Sequence, residues 1–212
     1  MTFSNACGKK ILERMVKAIQ DNKDYLGEID GLVADGDHGM NMNKGFTLFA
    51  NRYADAEYSF SEGLQSLAMI LMEEIGGSMG PIYGTIFSEM SDYADEAEDI
   101  TMEVLAGMLN GGIVGLYDIV DARKGDKTLV DTLVPAYEAL SAALQAGKSF
   151  EEGINDMQEA AVAGKDSTKD MVAKYGRSSR LGERSKGVID AGAASCCILI
   201  CAMAEGIKEL LE

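Results

Sequence analysis

Three aspartates in one short segment, Asp30, Asp35 and Asp37, could together hold a metal ion, and His38 follows them directly. Gly36 separates two of them, and its freedom to bend allows both carboxylates to be aimed at one point. Three carboxylates in so short a segment repel one another unless a cation lies among them. As hard oxygen ligands without thiolates, they favour Mg²⁺, Ca²⁺ or Mn²⁺. The alternative is a solvated turn in which the aspartates act as caps.

A second segment, Gly76-Gly77-Ser78-Met79-Gly80-Pro81, has the composition of an anion-binding loop. Its glycines expose backbone N–H groups, and its proline is typical of the first turn of a helix. The N terminus of such a helix binds anions. A helix C-cap followed by a simple turn is an equally open interpretation.

A third segment is basic within a strongly acidic chain. It contains Lys174, Arg177, Arg180, Arg184 and Lys186, with Glu183 as its acid. A local reversal of charge beside a carboxylate cluster suits phosphates that carry their metal. The alternative is that these bases balance neighbouring acids or the C terminus of a helix.

The elements that position these segments are predicted to be helices, because apolar residues recur at helical spacing along almost the whole chain. We expect eight, roughly at residues 3–23, 40–55, 60–75, 81–94, 101–122, 129–146, 150–174 and 191–211. Ser149 with Glu152 predicts a capping box, and Thr101 and Asp190 predict N-caps. No segment shows sustained period-two alternation, so no strands are predicted. The expected fold is all-α: a single domain over residues 1–212, an antiparallel up-down bundle or barrel.

An up-down topology places every second connection at the same end of the molecule. Connections 1–2, 3–4, 5–6 and 7–8 are the long, glycine-rich and charged ones, whereas the other three are short or acidic. Long loops in compact domains are usually functional, so a site is predicted on this rim. A nucleotide di- or triphosphate with Mg²⁺ is the ligand that suits all of its parts.

The composition excludes several other classes of function. With 35 acidic and 19 basic residues the net charge is −16, which argues against nucleic-acid or anionic-membrane binding. His38 is the single histidine, so multi-histidine metal sites are excluded. The cysteines form no CxxC pair, and neither structural zinc nor a disulfide framework is expected. The uncharged run Ala191–Ala204 is too short to span a bilayer and predicts a buried helix. We therefore expect a reduced, cytoplasmic protein.

These segments together resemble the nucleotide-binding L subunits of dihydroxyacetone kinases. The resemblance rests on Asp35–Met42, Gly76–Gly84, Gly125–Thr128 and Gly176–Ser185, occurs in this order and runs essentially end to end. It implies a barrel of eight antiparallel helices with the nucleotide in the loops at one end. It also implies phosphoryl transfer as the activity.

The resemblance implies a role for individual residues. Asp30, Asp35 and Asp37 would hold two Mg²⁺ ions that bridge the phosphates of ADP or ATP, and His38 joins them as catalytic. Contacts with the nucleotide are implied for His38, Gly39, Asn41, Gly77, Ser78, Met79, Thr128, Leu129, Arg177, Asp190, Ala191 and Gly192. The chain departs from the family pattern at Met79, Leu129 and Ala191, where serine, methionine and proline are usual. These departures leave the aspartates intact and suggest a divergent paralogue.

The resemblance also implies partners. A separate K subunit would hold dihydroxyacetone covalently on its own histidine, and a phosphohistidine-carrying M subunit of the phosphotransferase system would rephosphorylate bound ADP. One alternative is an ATP-exchanging kinase subunit for a tetrulose, and another is a regulatory nucleotide-binding module without catalysis. The intact aspartates favour an enzyme. A homodimer is expected, without nucleic-acid or membrane binding.

Overall fold

The computed structural model describes residues 1–211, and the all-α prediction is confirmed. Within that range the chain forms eight α-helices, in the order predicted. They are α1 (Lys9–Gly31), α2 (His38–Arg52), α3 (Phe60–Glu74), α4 (Met79–Ala94), α5 (Met102–Ile119), α6 (Val130–Gln145), α7 (Phe150–Ser167) and α8 (Ala191–Lys208). Short 3₁₀ segments lie at Asn5–Cys7, Thr168–Asp170 and Arg177–Ser185.

The helices form a closed barrel. Each helix packs against the next one in the chain, and α8 packs back against α1, which closes the ring. The predicted caps are present: Ser149 and Glu152 form a capping box, and the side chains of Thr101 and Asp190 accept backbone N–H groups of α5 and α8. These caps fix where the helices begin, and therefore where the connecting loops lie.

One short strand pair corrects the prediction of an entirely strand-free chain. β1 (Phe3–Ser4) pairs antiparallel with β2 (Asp99–Ile100), with Phe3 opposite Ile100. Two-residue strands are too short to show alternation in a sequence. The pair lies before α1 and before α5, and the Phe3 ring packs edge-on against Phe60 at 5.8 Å between centroids.

Helix α8 is a core element of the barrel. It has 18 residues and a mean hydropathy of 1.5, so by length and composition alone it could cross a membrane. However, 67% of it is buried inside the fold, where it contacts α1, α6 and α7. This burial agrees with the predicted buried helix.

Three helix boundaries differ from the prediction in ways that affect the site. Helix α1 continues to Gly31 rather than ending near residue 23, because Leu26, which is fully buried, extends its apolar stripe. Helix α2 begins at His38, and α7 ends at Ser167 rather than near residue 174. As a result Asp30 lies in the last turn of α1, and the connection between α7 and α8 is longer than expected.

Candidate functional site

The three aspartates meet where α1 passes into α2. Asp30 lies in the last turn of α1, Asp37 immediately precedes α2, and Asp35 lies in the turn between them. Gly36 adopts a φ of +76°, a conformation that glycine accepts without steric cost and that reverses the chain here. Each aspartate offers one carboxylate oxygen, and the three oxygens lie within 4.8 Å of one another. This is an all-oxygen donor set of the kind that Mg²⁺ prefers.

Arg177, which lies 142 positions after Asp35 in the sequence, places a positive charge beside this cluster. It lies in the connection between α7 and α8, and its guanidinium forms an ion pair with Asp35 and a 3.2 Å contact with Asp37. All three side chains are about half exposed, so the pairs add little to stability. The basic segment therefore contacts the aspartates. This contact agrees with the predicted rim, on which the α1–α2 and α7–α8 connections lie at the same end of the barrel.

His38 is placed differently from a free catalytic base. It begins α2 and is only 6% exposed, and its Nε2 lies 2.9 Å from Ser195 Oγ on α8. Burial lowers the pKa of His38 below its usual value, although the Asp30 carboxylate opposes this shift. Its backbone N–H, rather than its ring, points towards the Asp30 carboxylate at 3.4 Å. The imidazole is thus a neutral, hydrogen-bonded part of the barrel end, with its backbone directed to the aspartates.

Two residues of this network had no role in the sequence prediction. Ser195 Oγ also lies 2.7 Å from the hydroxyl of Tyr83 on α4, and Tyr83 further donates to the backbone carbonyl of Gly192. Burial raises the pKa of Tyr83 well above its usual value, so the phenol remains a neutral donor. The available sequence signal was a hydroxyl within the apolar run of α8. The network joins α2, α4 and α8, and it includes His38, which directly follows Asp37.

Gly39 has a steric role in the structure. It is buried in the first turn of α2, and an added Cβ would collide with the backbone carbonyl of Lys23 and meet the backbone nitrogen of Gly27 at 2.7 Å. Only a residue without a side chain lets α2 approach α1 this closely. This close approach positions the turn that carries the aspartates.

We expect Gly39→Ala to destabilise the protein. Alanine gains about 1 kcal/mol of helix propensity over glycine, but overpacking against rigid backbone costs about 1–3 kcal/mol or more, so the clash prevails. Thermal unfolding should show a lower Tm. Gly76→Ala is the matched control, because no atom lies within 4 Å of its added Cβ. Equal Tm values for the two variants would contradict the steric role.

The glycine-rich segment between α3 and α4 forms the start of α4. Gly77 has a φ of +75°, Ser78 occupies the N-cap position without a side-chain cap, and Met79 is the first helical residue, partly buried against the core. Tyr83, one turn further, connects α4 to Ser195 and so to His38. The segment therefore belongs to the same end of the barrel, although no hydrogen bond joins Gly77, Ser78 or Met79 to the aspartates.

Apart from Asn41, the remaining predicted residues lie at the starts of α6 and α8, which adjoin. Leu129 precedes α6 and is buried, and a Cβ on Gly192 would lie 3.6 Å from its backbone nitrogen. Asp190 caps α8 by accepting from Ala193 at 2.8 Å, and burial raises its pKa to about 6. The structure thus brings Leu129 and Gly192 together. Thr128 and Ala191 are their chain neighbours, and Asn41 lies in the first turn of α2.

Comparison with known proteins identifies the family. Residues 32–205 match the DAK2 domain. The chain belongs to the DAK2 domain family. The match begins just after Asp30 and includes the other elements of the barrel end described above. Together with the DhaL relatives described next, this match confirms the resemblance to L subunits.

Similar DAK2 proteins are subunits and domains of sugar kinases. The ADP-binding subunit DhaL of the PEP-dependent dihydroxyacetone kinase 1 of Listeria innocua is 33% identical, over 96% of this chain and 97% of the relative. The corresponding E. coli subunit is 32% identical, over 93% and 95%. The L-erythrulose kinase of Pectobacterium atrosepticum is 30% identical over 84% of this chain, which spans 31% of that larger protein.

Solved structures agree on the fold. The dihydroxyacetone kinase of C. freundii, crystallised in complex with AMP-PNP and Mg²⁺, superposes with a TM-score of 0.69. The alignment is 22% identical and covers 97% of this chain and 34% of that chain. The DAK2 barrel of this protein is therefore the fold of one part of that kinase.

Proposed function

We propose that this DAK2 protein is the ADP- or ATP-binding subunit of a dihydroxyacetone kinase. It passes a phosphoryl group from Mg²⁺-bound nucleotide to a short-chain ketose held on a separate K subunit, in a cytoplasmic system driven by phosphoenolpyruvate. The observation that carries the proposal is the cluster of three aspartate oxygens within 4.8 Å, faced by Arg177. Full-length similarity to relatives that are themselves ADP-binding subunits supports it.

The aspartates are suited to hold Mg²⁺, as one ion or as the two expected from the family resemblance. Asp30, Asp35 and Asp37 supply hard, negatively charged oxygens, and all three side chains are at least partly exposed. Bound there, Mg²⁺ would neutralise phosphate charge and act as a Lewis acid. Arg177 would add a planar guanidinium that suits phosphate oxygens.

Phosphoryl transfer requires positioning and charge neutralisation more than a covalent nucleophile. This requirement agrees with a site whose histidine is buried and hydrogen-bonded to Ser195. The N termini of α2, α4 and α8 all lie at this end, and the positive end of a helix dipole favours anions. The chain thus supplies an electrostatic cradle, while the sugar is held elsewhere.

A tetrulose kinase is the second candidate, because L-erythrulose kinase is 30% identical to this chain. That relative is about three times as long, whereas the DhaL relatives match this chain from end to end. The similarity over nearly the whole length of the DhaL relatives therefore favours the dihydroxyacetone kinase assignment.

We expect ADP to bind this protein only in the presence of a divalent cation. Without one, three carboxylates repel the phosphates of the nucleotide; with Mg²⁺, the same carboxylates anchor it. Calorimetric titration with ADP, in Mg²⁺ and then in excess chelator, measures the difference. The chelated sample should show no binding, and added Mg²⁺ should restore it. Equal affinity in both conditions would refute the metal site.

A further inference from the structure

Lys127 is a buried cation that the proposed nucleotide chemistry does not use. It is 1% exposed, and its Nζ donates to the backbone carbonyls of Thr168 and Val188, both at 2.6 Å. Burying an ammonium group is costly unless it is well hydrogen-bonded. Desolvation lowers the pKa of Lys127, while Asp190 and Asp170 oppose the shift. The buried ammonium group therefore holds its two carbonyl acceptors close together.

The two acceptors lie at the two ends of the connection between α7 and α8. Thr168 follows the last residue of α7, and Val188 precedes the N-cap of α8 by two residues. We call these two ends, where they meet, the neck of the connection. Two more hydrogen bonds join them: Gly187 N–H donates to the Lys169 carbonyl at 2.8 Å, and Asp190 N–H donates to Thr168 Oγ1 at 3.0 Å. Residues 169–187 thus form a surface loop with closed ends, and the Lys127 ammonium joins those ends.

The backbone of Lys127 is itself fixed in an unusual conformation. Its φ of +62° is the one positive value among the non-glycine residues from 1 to 211. The Asp131 carboxylate, almost fully buried, accepts from the N–H groups of Gly125 at 2.5 Å and Thr128 at 2.9 Å, on both sides of Lys127. A lysine holds such a conformation only where its surroundings enforce it. The connection between α5 and α6 therefore holds the backbone of Lys127 in a fixed conformation.

The loop joined by Lys127 carries Arg177 to the aspartates. Arg177 lies within residues 169–187 and pairs with Asp35 and Asp37. A second contact joins this loop to the connection between α5 and α6, because Lys174 forms a 2.5 Å ion pair with Asp126. The position of Arg177 therefore depends on where the neck of the loop is held.

We propose that Lys127 is a positioning residue of the nucleotide site, which acts by fixing the neck of residues 169–187 and thereby placing Arg177. The nucleotide part of this inference rests on the proposed function, whereas the fixing of the neck does not. Lys127 forms no hydrogen bond or ion pair with Asp30, Asp35 or Asp37. We expect its effect on binding to pass through the loop.

The first test is hydrogen exchange of the nucleotide-free protein. Lys127→Met keeps the length of the side chain but removes both hydrogen bonds. Exchange in residues 169–187 should become roughly ten-fold faster or more, as expected from the loss of charged hydrogen bonds. Lys124→Met is the matched control, because Lys124 lies in the same connection but pairs with Glu138 on the surface. Unchanged exchange in Lys127→Met would overturn the proposal.

The second test is a double-mutant cycle read by affinity for ADP with Mg²⁺. Lys127→Met and Arg177→Gln should each weaken binding, by about ten-fold, and the double variant should be little weaker than either. Such non-additivity is expected when two residues act through one arrangement, and a merely structural lysine would not produce it. Additive losses would overturn the positioning role.

Two further outcomes are distinguishable. If the wild-type protein binds no ADP with Mg²⁺, the proposed function fails, while hydrogen exchange still tests the fixing of the neck. If Lys127→Met does not fold, Lys127→Gln tests the same neck, since its side chain is shorter and uncharged and cannot replace both ammonium hydrogen bonds. Faster exchange confined to residues 169–187 in that variant supports the proposal, and unchanged exchange overturns it.

Discussion

Asp37→Asn is expected to abolish phosphoryl transfer while leaving the barrel folded. Removing one charged metal ligand costs several kcal/mol of charge stabilisation, equivalent to roughly a thousand-fold or more in rate. Asp37 is partly exposed at the end of the barrel, so the core does not depend on its charge. Asp35→Asn should behave in the same way, because Asp35 supplies another oxygen of the cluster.

The measurement is a coupled kinase assay with the partner subunits supplied, together with circular dichroism to verify the fold. Asp92→Asn is the control, since Asp92 is an exposed aspartate near the end of α4, away from the rim. It should retain full turnover. Wild-type turnover in Asp37→Asn, with the same partners present, would refute the assignment of the aspartates.

The positions of the helices could be predicted from the sequence because each has an apolar stripe and four of the eight begin at a side-chain N-cap. The predicted end of α1, near residue 23, was wrong, because the helix continues through Gly27 to Gly31. In the structure a Cβ at Gly27 would lie 3.4 Å from the Gly36 carbonyl, so these glycines permit close packing of the turn. A glycine that ends a helix and a glycine that allows close approach look alike in a single sequence.

The site could be predicted in its local parts but not in its long-range contacts. Asp35, Gly36 and Asp37 are neighbours, and their convergence follows from their spacing. The burial of His38 depends on Ser195, 157 residues away in the chain, and the hydrogen bonds of Lys127 depend on residues 41 and 61 positions away. Such contacts are set by how the barrel closes, which local patterns do not specify.

The last prediction concerns the partner: this chain alone should not phosphorylate dihydroxyacetone or a tetrulose, even with ATP and Mg²⁺. Its histidine, His38, is hydrogen-bonded to Ser195 and only 6% exposed, so it is unsuited to anchor a ketose covalently. A groove of about 260 Å³ lies between α1 and α2, but it is lined by Phe49, Tyr53 and Tyr58 at the far end of α2 from the aspartates. A ligand with so few heavy atoms binds weakly without an enclosing or covalent site.

The assay uses the purified chain first alone, and then with a K subunit and either ATP or phosphoenolpyruvate plus the carrier proteins. Turnover should rise from background to a robust rate only when the K subunit is present, because transfer then occurs across an interface at the rim that holds Arg177. Robust activity from the chain alone would mean that the sugar site lies within it. Activity with phosphoenolpyruvate but not with ATP would show that ADP remains bound as a coenzyme and is rephosphorylated in place, the outcome expected from the similarity to the DhaL subunits of PEP-dependent kinases.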